Sequence, residues 1–192
     1  MRRLNPARSE PGSRLVFARL FERLDPRELA HVRRHVRLMQ RRGWRVAALV
    51  LNWLSNGLLY PLAAAGVLAL WGWQTLPAIL VAGGSILAAH LIYPRIKTRC
   101  GRLRPFDLDP SIATLLKPLD RLSFPSGHTM TATAAFLPLS AVHPYCVPVV
   151  AAAVASIGWA RLAAGHHYPS DCVAGALIGI AIASPGALWL VM

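Results

Sequence analysis

The chain has 192 residues, of which 55% are hydrophobic and 15% are charged, and its formal net charge is +13. A soluble nucleic-acid binder would carry charge throughout, a disordered chain would be less apolar, and a secreted disulfide scaffold would be rich in cysteine. The charged residues instead fall in short segments, because residues 46–94 and 122–160 contain no Asp, Glu, Lys or Arg. Long charge-free blocks between short charged ones indicate a protein that spans a membrane several times. No nucleic acid is expected among its partners.

Residues 1–45 form a basic N-terminal arm, with 13 Arg, four acidic residues and a net charge of +9. Asp25, Pro26 and Glu28 indicate a helix start, because they offer a cap residue, a proline at the first helical position and an acid for a capping box. Apolar residues then recur at helical spacing, with arginines on the other faces, and they are Leu29, Val32, Val36 and Met39. We therefore predict an amphipathic helix in the interface of an anionic membrane. The alternative is a helix that packs on another subunit or a soluble partner.

Residues 46–192 are predicted to form one domain, an all-α, polytopic transmembrane helical bundle of about five spans. The predicted spans are 46–71, 77–93, 126–142, 147–164 and 172–190. The one long polar loop covers residues 95–125. Asn52 and Asn56 in the first span should face neighbouring helices, because amides are costly in contact with lipid. Pro185 is expected to kink the last helix or to end it early.

The charged segments are predicted to lie at one end of this bundle. The turns at 72–76 and 143–146 carry no charge, whereas the arm, the loop at 95–125 and the segment 161–171 do. Because successive spans alternate in direction, the neutral turns reach one membrane surface and the charged segments reach the other. A site with ionisable chemistry is therefore expected at the charged surface.

Two groups of residues at that surface favour phosphate binding. Lys97, Arg104 and Arg161 supply three cations, as a dianionic phosphate requires, and Arg offers two parallel donors to its oxygens. Ser126 and Gly127 stand at the start of an apolar helix, whose free backbone N–H groups and dipole favour an anion. Taken singly, the basic loop could serve only membrane orientation, and Pro-Ser-Gly could be a plain turn. Together they indicate a phosphate site.

Two histidines and one acid at the same surface provide groups for catalysis. His128 and His167 can supply a nucleophile and an acid, although a lone histidine at a helix end is more often structural. Asp171 lies four residues after His167, which is one turn if that stretch is helical, and could hold the other ring nitrogen.

The order and spacing of these residues resemble the type-2 phosphatidic acid phosphatase and vanadium-dependent haloperoxidase superfamily. The motifs of that family are Lys-x6-Arg-Pro, Pro-Ser-Gly-His and Ser-Arg-x5-His-x3-Asp. The corresponding residues here are Lys97-x6-Arg104-Pro105, Pro125-Ser126-Gly127-His128 and Arg161-x5-His167-x3-Asp171. The resemblance covers about residues 95–175 and leaves residues 1–45 unexplained. Ala160 stands where the family usually has Ser, which would remove one hydrogen bond near the phosphate.

The resemblance implies a lipid phosphatase that works through a phosphohistidine. His167 would attack phosphorus, Asp171 would fix its tautomer, and His128 would protonate the leaving group and then activate water. The implied phosphate-binding residues are Lys97, Arg104, Ser126, Gly127 and Arg161. No metal or other cofactor is expected, since the three cations can take the role that magnesium has elsewhere. Activity should then survive EDTA and be lost with vanadate.

The substrate should be an amphiphile, because the site opens at a bilayer surface. Candidates are phosphatidate, phosphatidylglycerophosphate, a polyprenyl phosphate or diphosphate, and a phosphorylated polyprenyl sugar. A phosphotransferase between two lipids would use the same residues, and a haloperoxidase would bind vanadate in the same cage, although the multiple spans argue against the latter. A non-catalytic lipid-binding scaffold is the remaining alternative, and the complete set of His128, His167 and Asp171 argues against it. The sequence does not predict the oligomeric state.

The orientation in the membrane follows from the charges. Bacterial members of this family commonly place the site outside the cytoplasm after three spans, but only two predicted spans precede Lys97 here. The arm cannot form a third span, because arginine recurs every few residues and charges are costly at mid-bilayer. The positive-inside rule then predicts an inner-membrane protein with its site on the cytoplasmic face. The basic residues of the 95–125 loop could serve to bind phosphate rather than to set the orientation. The net charge of the arm would still favour the cytoplasmic side.

Other residues near the motifs are expected to play supporting roles. His166 has the wrong spacing for the nucleophile and is predicted to lie beside the site or at its rim. His143 is predicted to be a turn residue on the opposite face. The predicted solvated loop acids are Asp107, Asp109 and Asp120. Phe106 and Phe124 are expected to line the lipid entrance.

Overall fold

The computed structural model describes residues 11–39, 41–118 and 120–192, so the first ten residues of the basic arm lie outside it. In these ranges the chain forms eight α-helices and no β-strand, apart from one isolated bridge between Leu103 and Leu122. The helices are α1 (Pro11–Leu38), α2 (Arg42–Ser55), α3 (Leu59–Trp71), α4 (Leu76–Cys100), α5 (Pro105–Leu108), α6 (Gly127–Val142), α7 (Val147–Ala163) and α8 (Pro169–Trp189). The predicted all-α fold class is confirmed.

Helix α1 runs without interruption past Pro26. The predicted helix start at Asp25 is therefore wrong. Asp25 and Glu28 do not cap a helix, because their side chains accept hydrogen bonds from Arg102. These ion pairs anchor the turn at which the proline removes a helical hydrogen bond.

The apolar face of α1 packs against the protein itself. Phe21 and Val32 on α1 and Met39 just after it are 6%, 0% and 5% exposed. Val32 packs against Ile112 and Tyr168. The other side of the helix presents exposed arginines, among them Arg27, Arg34 and Arg37. The apolar face thus contacts the bundle, and contact of the arginine face with anionic lipid stays a prediction.

The predicted first span consists of two helices, α2 and α3, which are bent by 77° where they meet. Gly57 at the bend has a φ of +137°, a conformation that L side chains rarely adopt. Near the start of the pair, Trp44 packs on Trp159 of α7, and at its end Trp71 stacks on His143 in the turn after α6. The pair therefore crosses the whole bundle, as predicted, but as a broken helix.

Helices α4 and α8 both continue through a proline. Helix α4 passes Pro94, so that Lys97 lies on the helix rather than in the predicted 95–125 loop. Helix α8 passes Pro185 and ends at Trp189, so the expectation of an early end is wrong. Proline is tolerated in membrane helices where neighbouring groups satisfy the freed backbone.

Helix α6 occupies the centre of the bundle and packs against α4, α7 and α8. A Cβ atom on Gly175 of α8 would lie 2.5 Å from the carbonyl oxygen of Ser126, and one on Gly179 would lie 2.5 Å from that of Met130. Only glycine permits such a close backbone approach. The contact brings the N-termini of α6 and α8 together, where the N–H of Ser126 donates to the carbonyl oxygen of Asp171 at 2.9 Å.

Three helical segments of the described chain are long and apolar enough to cross a membrane, and the bent pair makes up to a fourth. The three are Trp73–Cys100, Pro144–Ala163 and Pro169–Trp189. Helix α6 has 16 residues, or about 24 Å at 1.5 Å per residue, which is short for a hydrocarbon core of about 30 Å. Helix α6 still connects the two ends of the bundle, and α4, α7 and α8 pack around it. The chain thus traverses the bundle five times, and α1 and the end of α8 lie at opposite ends.

Candidate active site

The predicted site residues converge at the end of the bundle where α1 lies. The C-terminal ends of α4 and α7 and the N-terminal ends of α6 and α8 meet there around a cavity of about 270 Å³. Six of the eight predicted residues line this cavity, and they are Lys97, Arg104, Gly127, His128, Arg161 and His167. The other two, Ser126 and Asp171, are fully buried beside Gly127 and His167. The structure thus brings all eight together, while their roles stay predictions.

Two cations of the cavity share one carboxylate. Lys97 Nζ donates to the two carboxylate oxygens of Asp120 at 2.8 and 2.9 Å and to the Leu122 carbonyl at 2.9 Å. Arg104 donates to Asp120 Oδ1 at 2.8 Å and to the His166 carbonyl at 2.7 Å. Burial alone would raise the pKa of Asp120, but the hydrogen bonds and charges of Lys97 and Arg104 outweigh it and lower this pKa. The prediction that Asp120 is a solvated loop acid is wrong, because it positions both cations.

The third cation is held by an asparagine from α2. Arg161 is 4% exposed, and one of its terminal nitrogens donates to Oδ1 of Asn52. The other terminal nitrogen lies 3.0 Å from Nδ1 of His166. Asn52 itself donates to the carbonyl oxygens of Ala48 and Ala160, at 2.8 and 3.1 Å. Asn52 therefore faces neighbouring helices, as predicted, and orients a phosphate-binding candidate.

His167 lies in the loop before α8 and is only 1% exposed. Its Nδ1 is 3.5 Å from Oδ2 of Asp171, which also accepts a hydrogen bond from the N–H of Tyr168 at 2.9 Å. Burial lowers the pKa of His167 well below its usual value, and the charge of Arg161 lowers it further. His167 is therefore neutral near pH 7, the form that a nucleophile requires. Asp171 stands in the first turn of α8, so the two residues are adjacent without sharing a helix.

His128 reaches the cavity from the first turn of α6. Its Nε2 lies 2.7 Å from Oδ1 of Asn56, at the bend between α2 and α3. Asn56 also lines the cavity. The bend in the first membrane-crossing pair is thus part of the site, and it places an amide against the histidine that is the candidate acid.

The N-terminus of α6 adds groups that favour an anion. The N–H groups of a first helical turn have no acceptor within the helix, and Gly127 brings this backbone to the cavity wall. Ser126 Oγ and Arg161 Nε are buried and have no hydrogen-bond partner in the part of the chain that the structure describes. Buried polar groups are costly unless something bonds to them. Both atoms are therefore suited to bind phosphate oxygens.

His166 lies behind Arg161, beside the site, as predicted. Its Nδ1 faces Arg161, and its Nε2 lies 2.7 Å from the Leu116 carbonyl. Burial lowers the pKa of His166 to about 4, with a contribution from the charge of Arg161, so its ring is neutral near pH 7. Phe106 packs against this ring and does not line the cavity, contrary to the expectation that it lines a lipid entrance.

Three loop residues differ in their surroundings. Asp107 is exposed, as predicted. Asp109 is 9% exposed and pairs with Arg33 of α1, so the prediction that it is solvated is wrong. Phe124 packs against Phe21 of α1, with ring centroids 5.3 Å apart. Neither Phe124 nor Phe21 lines the cavity, so Phe124 does not form the expected lipid entrance.

Besides His166, four side chains that the motifs do not specify form hydrogen bonds with the predicted site residues, and they are Asn52, Asn56, Arg102 and Asp120. The sequence signal for the two asparagines is their spacing of four residues within an apolar span. Arg102 and Asp120 carry no such signal, because they look like ordinary members of a charged loop. In the described residues, no group of three His, Cys, Asp or Glu side chains could hold a metal ion. Metal independence stays a prediction.

The profile of the PAP2 superfamily matches residues 74–191 of the sequence. The chain belongs to the PAP2 superfamily. The matched segment contains all eight candidate site residues, and the resemblance drawn from the three motifs is confirmed. Helices α1, α2 and α3 precede the matched PAP2 segment.

Relatives of this PAP2 chain are phosphatases. A decaprenylphosphoryl-5-phosphoribose phosphatase of Mycobacterium tuberculosis is 37% identical over 120 residues, which cover 60% of this chain and 66% of the relative. The protein of the same name from Mycolicibacterium smegmatis is 38% identical over 114 residues, covering 59% and 60%. A lipid A 1-phosphatase of Rhizobium etli is 43% identical over 58 residues, covering 30% and 25%. The chain thus matches less than two thirds of the length of these relatives.

The fold resembles a solved PAP2 structure over nearly its whole length. The crystal structure of a transmembrane PAP2-type phosphatidylglycerolphosphate phosphatase from Bacillus subtilis superposes with a TM-score of 0.66 and 21% identity. The match covers 91% of this chain and 90% of that one. Because of this coverage the likeness includes most of the segment before residue 74, and it confirms that the chain has a transmembrane PAP2 fold.

Proposed function

We propose that the chain is an integral membrane phosphatase that hydrolyses a phosphate ester of a lipid through a phosphohistidine at His167. The observation that carries this proposal is the placement of the His167 ring. It is buried and neutral, it has Asp171 behind it, and it faces a cavity that also exposes Lys97, Arg104 and Arg161. A neutral nucleophile opposite three cations is what attack on a phosphate requires.

The first chemical step forms a bond from His167 Nε2 to phosphorus and breaks the bond from phosphorus to the lipid oxygen. Nε2 is the attacking atom, because Nδ1 faces Asp171. Asp171 holds the tautomer and stabilises the positive charge that develops on the ring. His128, in its protonated imidazolium form, gives a proton to the departing lipid oxygen and becomes neutral. In the second step, His128 takes a proton from water, the water oxygen attacks phosphorus, and the bond to His167 breaks to release inorganic phosphate.

The surrounding donors stabilise the charge on the transferring group. Lys97, Arg104 and Arg161 bind its oxygens together with Ser126 Oγ and the N–H of Gly127. Phosphoryl transfer depends mostly on positioning and charge stabilisation. This cage therefore supplies the positive charge that metal ions provide in many other phosphoryl-transfer enzymes, and we propose that catalysis needs no metal.

For the substrate, we favour a phosphate monoester on a polyprenyl-linked sugar among the lipid phosphates considered. The names of the two mycobacterial relatives give a substrate of that kind. An apolar pocket of about 200 Å³ between α3, α4 and α6 also lies next to the cavity, since Tyr60 and Ile86 line both. An apolar chain could follow that pocket while the phosphate occupies the cage.

The test is release of inorganic phosphate by the purified full chain in detergent. The panel contains phosphatidate, phosphatidylglycerophosphate, polyprenyl phosphate and diphosphate, and a polyprenyl phosphoryl pentose that carries a terminal phosphate. We expect release with at least one lipid, loss of at least a thousandfold in His167→Ala, and wild-type rates in His143→Ala, which changes a histidine at the opposite end. EDTA should have no effect, and vanadate should inhibit.

Besides a failure to release phosphate from any lipid, three results would contradict the proposal. Full activity in His167→Ala would exclude the phosphohistidine. Loss of activity with EDTA and its return with Mg²⁺ would exclude metal-free catalysis. Transfer of phosphate to a second lipid, without release into water, would identify a phosphotransferase instead.

A further inference from the structure

Arg102 is a fully buried cation in the loop after α4, two residues before the cavity residue Arg104. Its side chain has 0% exposure. A buried guanidinium needs acceptors for its donors and carboxylates for its charge. The partners of Arg102 therefore show what this residue connects.

The donors of Arg102 divide between α8 and α1. One terminal nitrogen donates to Asp171 Oδ1 at 2.6 Å and to Ser170 Oγ at 2.7 Å. The other donates to Asp25 Oδ1 and Glu28 Oε2, both at 2.6 Å, and Nε donates to Asp25 at 3.0 Å. The guanidinium thus links the candidate partner of the nucleophile to two acids of the N-terminal helix.

The position of Arg102 is further fixed by two aromatic rings. Its guanidinium lies 3.8 Å from the ring centroid of Tyr168 and 4.7 Å from that of Phe21 on α1. Arginine stacks favourably on aromatic faces. Glu28 also reaches α8 directly, since it accepts hydrogen bonds from the N–H and the hydroxyl of Ser170 at 2.8 and 2.7 Å. Helix α1 is therefore docked on the first turn of α8, where Asp171 lies.

The charges of this cluster have a consequence for His167. If Arg102 paired with Asp171 alone, the pair would be neutral and would do little to stabilise a positive charge on the His167 ring. Asp25 and Glu28 add two carboxylates that share the same guanidinium. The cluster then keeps a net negative charge behind the nucleophile, in a buried site where charge acts strongly.

We propose that α1 is part of the catalytic machinery, in which Asp25 and Glu28 are positioning residues that hold Arg102 against Asp171 and supply the negative charge behind His167. This inference rests on the proposed function. It gives a role to the N-terminal arm, which lies outside the segment that the PAP2 superfamily profile matches.

The test compares Asp25→Asn, Glu28→Gln and the double variant with Glu22→Gln, all in the full chain and with the lipid that wild type hydrolyses. Glu22 lies on the same helix but is exposed, so its variant removes a charge without touching the cluster. We expect kcat to fall about tenfold in each single variant and further in the double variant, because the charge that develops on His167 is less stabilised. KM should change less than threefold, since the phosphate cage is intact, and Glu22→Gln should match wild type.

The pH profile separates this role from a merely structural one. With fewer negative charges nearby, and with Lys97, Arg104 and Arg161 unchanged, the pKa of His167 should fall further below its usual value. The acid limb of kcat/KM in the double variant should then move to lower pH even though the rate is lower. A thermal unfolding midpoint within a few degrees of wild type would show that α1 is still folded onto the bundle. If one single variant does not fold, the other carries the test, and Asp25→Glu, which keeps the carboxylate, should have a kcat closer to that of wild type.

The outcomes distinguish this inference from the proposed function. An active wild type, an inactive His167→Ala and unchanged kcat in Asp25→Asn and Glu28→Gln would overturn the role of α1 and leave the phosphatase in place. A rise of KM alone, or a lower rate with an unshifted acid limb, would also overturn it. A wild type that hydrolyses no lipid phosphate would overturn both.

Discussion

Two asparagines four residues apart each contact a different residue of the candidate site. Asn52, in the last turn of α2, accepts from Arg161, and Asn56, just after that helix, lies 2.7 Å from His128 Nε2. Their roles should differ, because Arg161 binds phosphate oxygens in the proposed mechanism and His128 moves a proton. Substituting the two asparagines one at a time should therefore distinguish an effect on phosphate binding from an effect on proton transfer.

We predict that Asn52→Leu raises KM and that Asn56→Leu lowers kcat, each by about tenfold. In Asn52→Leu, Arg161 loses a buried acceptor and is less well oriented toward phosphate. In Asn56→Leu, the His128 ring loses the hydrogen bond that fixes it, while the phosphate cage is unchanged. Steady-state kinetics on the preferred lipid measures both parameters, and Trp53→Leu serves as a control for a change on the exposed side of α2.

A fall of kcat with unchanged KM in both variants would contradict the separation of roles. So would wild-type kinetics in Asn56→Leu, which would show that the amide does not position His128. Unfolding midpoints in detergent should be recorded for both, because Asn52 is fully buried and Asn56 is exposed.

At this scale the sequence predicts which residues meet at the cavity better than it predicts the residues that position them. The family motifs indicated all eight residues that meet at the cavity, whereas the roles of these residues stay predictions. Asp120 was predicted to be solvated, yet it pairs with Lys97 and Arg104. Its partners depend on how the loop between α5 and α6 folds back, which no local pattern records. The same holds for Arg102, whose acceptors come from α1 and α8.

At the scale of elements, the close contact between α6 and α8 holds two parts of the candidate site together. Gly179 lets the α8 backbone approach Met130, and one turn earlier Gly175 lets it approach Ser126. Glycine weakens a helix by about 1 kcal/mol relative to alanine, so its presence here needs a packing reason. The contact supplies one, because it places Asp171 beside the start of α6.

We predict that Gly179→Ala lowers the free energy of unfolding by about 1–3 kcal/mol, as expected for overpacking, and reduces activity. The added Cβ would lie 2.5 Å from a carbonyl oxygen, so the helices must separate. Gly84→Ala on α4 is the matched control, because its Cβ would meet nothing within 4 Å. That control should be neutral or stabilising by up to about 1 kcal/mol. Thermal unfolding in detergent measures both, and equal midpoints would contradict the proposed packing role.

The hydrophobic segments of the sequence predicted which parts of the chain form helices. They did not predict where a helix bends or where it continues past a proline. The sequence predicted helices in every apolar block, and each is present. It did not predict the 77° break between α2 and α3, because no charged residue interrupts residues 46–71 around Gly57. It also predicted a helix start at Asp25 and a helix end at Tyr93, whereas α1 and α4 continue through these points. Tertiary contacts and neighbouring helices compensate for the hydrogen bonds that Pro26 and Pro94 remove.

At the scale of the whole molecule, charged residues are concentrated at one end of the bundle. The end that holds the cavity also holds α1 with its exposed arginines. The other end carries the uncharged turns at 72–76 and 143–146, where Trp73 and Tyr145 are 76% and 63% exposed. Exposed aromatic residues are typical of a membrane interface, and basic segments remain in the cytoplasm. We therefore propose that the cavity opens on the cytoplasmic side of the inner membrane.

This orientation predicts the location of reporters fused to the chain. Because the chain crosses the bundle five times, alkaline phosphatase after Met192 should lie in the periplasm and be active. A fusion after Gln74 should also be active, and a fusion after Lys117 should be inactive, because that loop lies at the cavity end. The opposite pattern would place the cavity outside the cytoplasm and would show that the arginines of α1 do not set the orientation. The expected pattern also restricts the substrate, since a cytoplasmic cavity receives lipids whose phosphate is presented in the inner leaflet.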